Sequence, residues 1–156
     1  MEGCLMTEET VTKAILKWLI HNSWEIVCFD FPQSGTGKLL HPNDANSEKN
    51  KGAINPDIVA VKGNICLFFE NKDRFYYLDF IKQNSLIEGD DYSNAIGELL
   101  SRYTVNNIYY GIGLPTIKHS QKSVDASHLV NFIIGVDENK NISVLYNPNF
   151  IKFNDI

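Results

Sequence analysis

Residues 56–72, PDIVAVKGNICLFFENK, limit the possible folds of this chain more than any other stretch. Two runs rich in Val, Ile and Phe flank Gly63-Asn64, a residue pair that favours a two-residue hairpin turn. With that turn, Lys62 faces Ile65, Val61 faces Cys66, Val59 faces Phe68 and Asp57 faces Glu70. Side chains alternate between the faces of a strand, so Asp57, Glu70 and Lys72 gather on one face at the open end of the hairpin.

Two carboxylates set directly opposite each other destabilise a strand pair unless something neutralises them. A divalent cation would do so. Magnesium takes one or two carboxylates plus waters and substrate phosphate, and the backbone carbonyl of Asn71 would add an oxygen. Mn2+ is expected to substitute for Mg2+. The alternative is a solvated strand end on which Lys72 pairs with Glu70. The apolar residues just inward, Val59, Val61, Cys66 and Phe68, imply a buried face opening into a polar pocket and favour the metal site. There, Lys72 would hold or help deprotonate a metal-bound water, or stabilise transition-state charge.

Around the hairpin, residues 7–22 carry Val11, Ile15, Trp18 and Leu19 at helical spacing, with Thr7 as N-cap and Glu8 and Glu9 at the positive end of the helix dipole. Residues 24–31 (WEIVCFDF) predict a strand closed by Pro32. Residues 92–103 predict a second amphipathic helix with Ala95, Ile96, Leu99, Leu100 and Tyr103 inward, capped by Asp90 or Asp91. IYYGIGL predicts a strand ending at Pro115, and residues 129–136 and 142–146 a closing hairpin through DENKN. The run RFYYLDFI reads as strand or helix equally. The expected architecture is mixed α/β: a central mixed β-sheet flanked by helices, in the order helix, three-strand meander, helix, strand and C-terminal β-hairpin.

The 156 residues suit one domain spanning 1–156. A net charge of -5 argues against indiscriminate nucleic-acid binding, which relies on many cationic contacts to phosphate. A local basic cleft remains compatible with it, since the long loop after Pro32 carries Lys38, His41, Lys49 and Lys51. Within that loop SGTGK lacks the spacing of a phosphate-cradling P-loop, with Pro32 in place of its first Gly and Leu39 after the lysine. Cys4, Cys28 and Cys66 are scattered as reduced thiols would be. The start MEGCLMTEET lacks the basic and apolar regions of a signal peptide, and no segment reaches membrane-spanning length. These features lead to the expectation of a cytoplasmic protein with no membrane contact.

Pro56-Asp57 followed by Glu70-Asn71-Lys72 on a β-hairpin resembles the PD-(D/E)XK nuclease superfamily, and the order of elements from Thr7 to about Pro115 resembles its restriction-endonuclease-like core. The resemblance implies that Asp57 and Glu70 bind the metal and that Lys72 is the catalytic lysine. It also implies a supporting acid from the first helix. Glu8 is the choice because it lies three and seven residues before Val11 and Ile15, with Glu9 as the alternative; both also suit the helix dipole alone.

The implied activity is that of a magnesium-dependent DNA endonuclease: a restriction endonuclease or a subunit of one, or else a junction-resolvase-like or repair nuclease. Lys38 and Lys51 would touch DNA phosphates. Because one active site cuts one strand, duplex cleavage implies a homodimer or a partner subunit. A non-catalytic nucleic-acid- or protein-binding module on the same fold is the alternative of another class.

Overall fold

The computed structural model describes residues 6–32, 34–43 and 52–155. Six strands form a single mixed sheet in sequence order, β1 (Glu25–Phe29), β2 (Ile58–Lys62), β3 (Ile65–Asn71), β4 (Asn107–Pro115), β5 (Phe132–Val136) and β6 (Ile142–Tyr146). The pairs β1–β2, β2–β3 and β5–β6 are antiparallel, whereas β3–β4 and β4–β5 are parallel. Parallel neighbours need crossovers. Helices α2 (Tyr77–Glu88) and α3 (Ser93–Leu99) make the first, and α4 (Gln121–Ala126) makes the second.

Helix α1 (Glu8–His21) packs alone on one face of the sheet, burying Val11, Ile15 and Leu19 against Leu67, Phe69 and Phe132. Thr7 caps it as expected, its hydroxyl accepting from the Thr10 N–H at 3.1 Å. The C-terminal residues Ile151 and Phe153 close this core, and the Phe153 ring packs in tilted contact with Trp18 and Trp24. The other three helices cover the opposite face. Phe80, Ile112, Leu114 and Ile133 form one cluster there, and Val59, Val61, Cys66, Phe68, Ile96 and Leu100 belong to another.

The mixed α/β architecture is the expected one, with differences in detail. Helix α2 occupies the ambiguous aromatic run: Phe80 and Gln83, three apart, turn inward while the rest of the segment stays accessible. Such a weakly amphipathic helix leaves little periodicity in the sequence. Helix α3 stops at Leu99 instead of continuing to 103, and neither Asp90 nor Asp91 caps it. Tyr92 holds the N-cap position without a side-chain bond, and a tight turn from Leu100 to Tyr103 ends the segment. Strand β1 covers Glu25–Phe29 rather than residues 24–31, and its register with β2 shifts between Ile26 and Cys28.

The central hairpin has the register that its turn dictates: Lys62↔Ile65, Val61↔Cys66, Ala60↔Leu67, Val59↔Phe68 and Ile58↔Phe69. Gly63 adopts φ +60°, the left-handed conformation that such a turn requires. Asp57 lies just beyond the last pair, and its N–H still donates to the Phe69 carbonyl at 3.1 Å. Cys28 and Cys66 are free thiols. Burial pushes Cys28 up to about 11 and Cys66 higher still, which keeps both protonated and unreactive. Cys4 lies outside the described residues. No helix among the described residues is long and apolar enough to cross a membrane.

Candidate functional site

The acid end of the hairpin is built by three anchors. The Asp30 N–H donates to the Asp57 carbonyl at 2.8 Å, fixing the residue that leads into β2. The Asp30 carboxylate accepts from Ser34 Oγ at 2.9 Å and Asn55 Nδ2 at 2.8 Å, which ties the SGTGK loop and the approach to Pro56 together. Asp57 Oδ2 accepts the Asn71 backbone N–H at 2.7 Å, linking the ends of the two strands.

Asp57 and Glu70 are both buried, at 6% and 7% exposure. Alternation assigns Glu70 to the face of Cys66 and Phe68. Its Oε1 meets Lys82 Nζ from α2 at 3.1 Å, not Lys72. The pairing of Lys72 with Glu70 allowed for by the sequence is therefore replaced by one with Lys82. Burial and then the neighbouring Glu70 charge raise the pKa of Asp57 well above the ordinary carboxylate range, and the Asn71 N–H only partly offsets them.

Lys72, the residue after β3, reaches back to α1, where its Nζ lies 3.8 Å from Glu8 Oε1. Burial disfavours its charge, but Asp79, Glu8, Glu70 and Asp57 together outweigh burial and hold the ammonium above the usual lysine value. The Glu8 carboxyl is raised by burial, with Lys72 pulling it down and Glu70 pushing it up. Of the two acids open at the start of α1, Glu8 faces the site, while Glu9 pairs with Lys13 at 2.7 Å on the exposed side.

Asn71 turns its side chain to the α1 face, where Nδ2 donates to the buried Thr12 hydroxyl at 3.1 Å. Gly113 on β4 makes room for it, since a Cβ there would collide with Asn71 Oδ1 and with Ile15. Asn71 Oδ1 is buried there without a hydrogen-bond partner, and alternation puts this side chain on the face opposite Glu70, which leaves the backbone carbonyl as the Asn71 oxygen expected at the acid end. Lys38 is exposed on the loop, close enough to the Cys28 thiol to oppose its upward shift. Residues 39–43, which follow Lys38, are not helical and Leu40 forms an isolated bridge with Ile54, unlike a P-loop lysine, which opens a helix. Lys51 and Lys49 lie outside the described residues.

Three participants lay beyond the motif. Asp79 on α2 acts electrostatically on Lys72, and burial pushes its own carboxyl up to about 6. One of its oxygens, Oδ2, is buried without a hydrogen-bond partner. Lys82, three residues further along α2, holds Glu70, and Tyr76 lies against Lys72, whose Nζ is 5.7 Å from the ring centroid. A helical reading of the aromatic run would have placed Asp79 and Lys82 on adjacent turns, the one available signal.

Among the described residues no three Asp, Glu, His or Cys side chains converge as a complete metal cage. The donor set still fits magnesium, which binds through one or two carboxylates and keeps several waters. Asp57 and Glu70 would supply the carboxylates; burial first and the Glu70 charge second raise the Asp57 pKa, and a cation would offset the second of these. No family model, curated protein or solved structure matches the chain.

Proposed function

We propose that this chain is a magnesium-dependent nuclease that hydrolyses phosphodiester bonds in DNA with a site resembling that of the PD-(D/E)XK superfamily. The supporting observation is the burial of Asp57 and Glu70 together beside a lysine that the surrounding acids keep cationic. Burying two neighbouring carboxylates costs stability, and such unfavourable electrostatics concentrate at functional sites. Asp57 and Glu70, with the Asn71 carbonyl, would hold the cation, which when bound supplies a Lewis acid and an acidified water.

Within this reading the protein's own groups divide the work. Lys72 stays protonated at neutral pH, so it serves as a point charge for a phosphate oxygen and not as the base. Glu8 positions Lys72, and Lys82 fixes the Glu70 carboxylate. Duplex cleavage would use two copies of the chain or a partner subunit, each site cutting one strand. A restriction or repair role for the enzyme follows the same chemistry.

Incubation with supercoiled plasmid and Mg2+ tests the proposal directly. Nicking that EDTA stops, and that Asp57→Ala and Lys72→Ala each abolish, is the expected result; an inert wild type on both DNA and RNA would sink it. That second outcome would favour a non-catalytic binding module. Its supporting observation is Lys82, whose ammonium already neutralises Glu70 without any metal.

A further inference from the structure

We infer that Tyr76, at the start of α2, is a stacking platform for unpaired bases, so that the substrate class of this site is single-stranded nucleic acid or an unpaired segment of a duplex. The inference rests on the nuclease reading for its catalytic meaning, but the platform is defined by its own geometry. Tyr76, Tyr77 and Leu78 are 41%, 53% and 75% exposed in succession, while α2 turns only Phe80 and Gln83 fully inward. Large side chains are thus presented to solvent where the helix begins. They adjoin the candidate site: an open cleft of about 600 Å³ runs from Tyr76 and Leu78 to Lys72 and Glu8.

Two cations attend the Tyr76 ring, Lys72 Nζ at 5.7 Å and Arg74 Cζ at 5.5 Å from its centroid. An exposed aromatic ring with Lys and Arg over it combines the stacking and cation–π parts of single-strand recognition. The acids of the same cleft, Glu8, Asp73 and Asp79, bear on the choice of substrate. Arg74 is tied to Asp73 at 3.1 Å, and the chain as a whole carries a charge of -5. Both cations of the cleft thus have acid partners, Lys72 lying 3.8 Å from Glu8, and leave little to neutralise successive phosphates there, which is how a protein grips a duplex irrespective of sequence. Affinity must then come largely from stacking. Bases inside a double helix are already stacked on one another, whereas an unpaired base is free to stack on tyrosine.

Fluorescence anisotropy on labelled oligonucleotides in Ca2+ buffer, compared as a DNA single strand, an RNA strand of the same sequence and a blunt DNA duplex, tests the inference. The wild type is expected to bind a single strand about tenfold more tightly than the duplex. Tyr76→Ala should weaken single-strand binding by about tenfold and leave duplex binding within about twofold, while Tyr76→Phe retains the preference. The DNA and RNA arms separate the two sources of unpaired bases. Equal binding of strand and duplex, or a Tyr76→Ala variant that folds normally by thermal melt and binds like wild type, overturns the inference. So does a Tyr77→Ala, Leu78→Ala pair that changes only the sedimentation of the protein, which would assign the face to a protein contact. Asp57-dependent plasmid cleavage without strand preference would overturn the platform alone. Tyr76-dependent strand binding without any cleavage would keep the platform and overturn the hydrolytic reading.

Discussion

The two ends of the β2–β3 hairpin obey opposite rules. From Val61↔Cys66 to Ile58↔Phe69 the pairs are apolar and buried on both faces of the sheet. One step further, Asp57 and Glu70 occupy equally buried positions and oppose each other electrostatically. The difference shows that burial alone does not mark a core. A sheet with a large apolar body can tolerate an electrostatically unfavourable polar tip, and such arrangements concentrate at functional sites.

Substitution at each end should therefore act with opposite sign. In the body, Phe69→Ala would remove a side chain packed edge-on against Phe132 and cost about 3–5 kcal/mol, read as a fall in denaturation midpoint without a change in slope. A loss below ~1 kcal/mol would mean that the body is not what supports the tip. At the tip, Lys72→Ala is expected to leave the fold intact and lower cleavage at least about a hundredfold, about 2.7 kcal/mol of transition-state stabilisation. Measured kcat/KM against circular dichroism separates the two effects.

A pH series sharpens the contrast. The Asp57 carboxyl has a folded-state pKa above its unfolded value, so its contribution to stability is present at acid pH and is lost as pH rises through the folded value. Asp57→Asn keeps an acceptor for the Asn71 N–H without the charge. It should stabilise the protein by roughly 1–2 kcal/mol at alkaline pH, or about 2–8 °C in melting temperature, with the effect shrinking as pH falls from about 8 and vanishing only below the ordinary carboxylate value of 3.8. Parallel melting curves across pH would show that the Asp57 charge is no burden. The smallest effect is expected at the turn, where Gly63→Ala forces a Cβ into the left-handed region for about 1 kcal/mol. Chemical denaturation would resolve it, and no change there would indicate that the turn is replaceable.

The body of the hairpin was legible in the sequence because its two signals agree: β-branched and aromatic runs on both sides of a turn pair whose geometry admits one register. Helix α1 was equally plain, since Thr7, Glu8, Val11, Ile15 and Leu19 satisfy cap, dipole and periodicity together. Asp57, Glu70, Lys72 and Glu8 followed from those two elements. Helix α2 did not, because only Phe80 and Gln83 are fully buried, with Leu86 and Ile87 partly buried against the sheet and most of its other side chains facing the cleft or solvent. Asp79, Lys82 and Tyr76 were hidden with it. Helix α4 is short and polar, held by a reciprocal bond pattern between Ser120 and Ser123 that hydrophobic spacing cannot reveal.

The parallel register of β3 with β4 sets Asn71 beside Gly113, so the seat for the Asn71 amide does not exist until a much later part of the chain arrives. Such distant pairings form late in folding, after the cost of closing the intervening loop has been met. A chain emerging from the ribosome would thus carry its acidic motif long before that motif could be assembled. Competence to bind a substrate would come with the docking of β4, making this closure the step that separates a harmless nascent hairpin from a finished site.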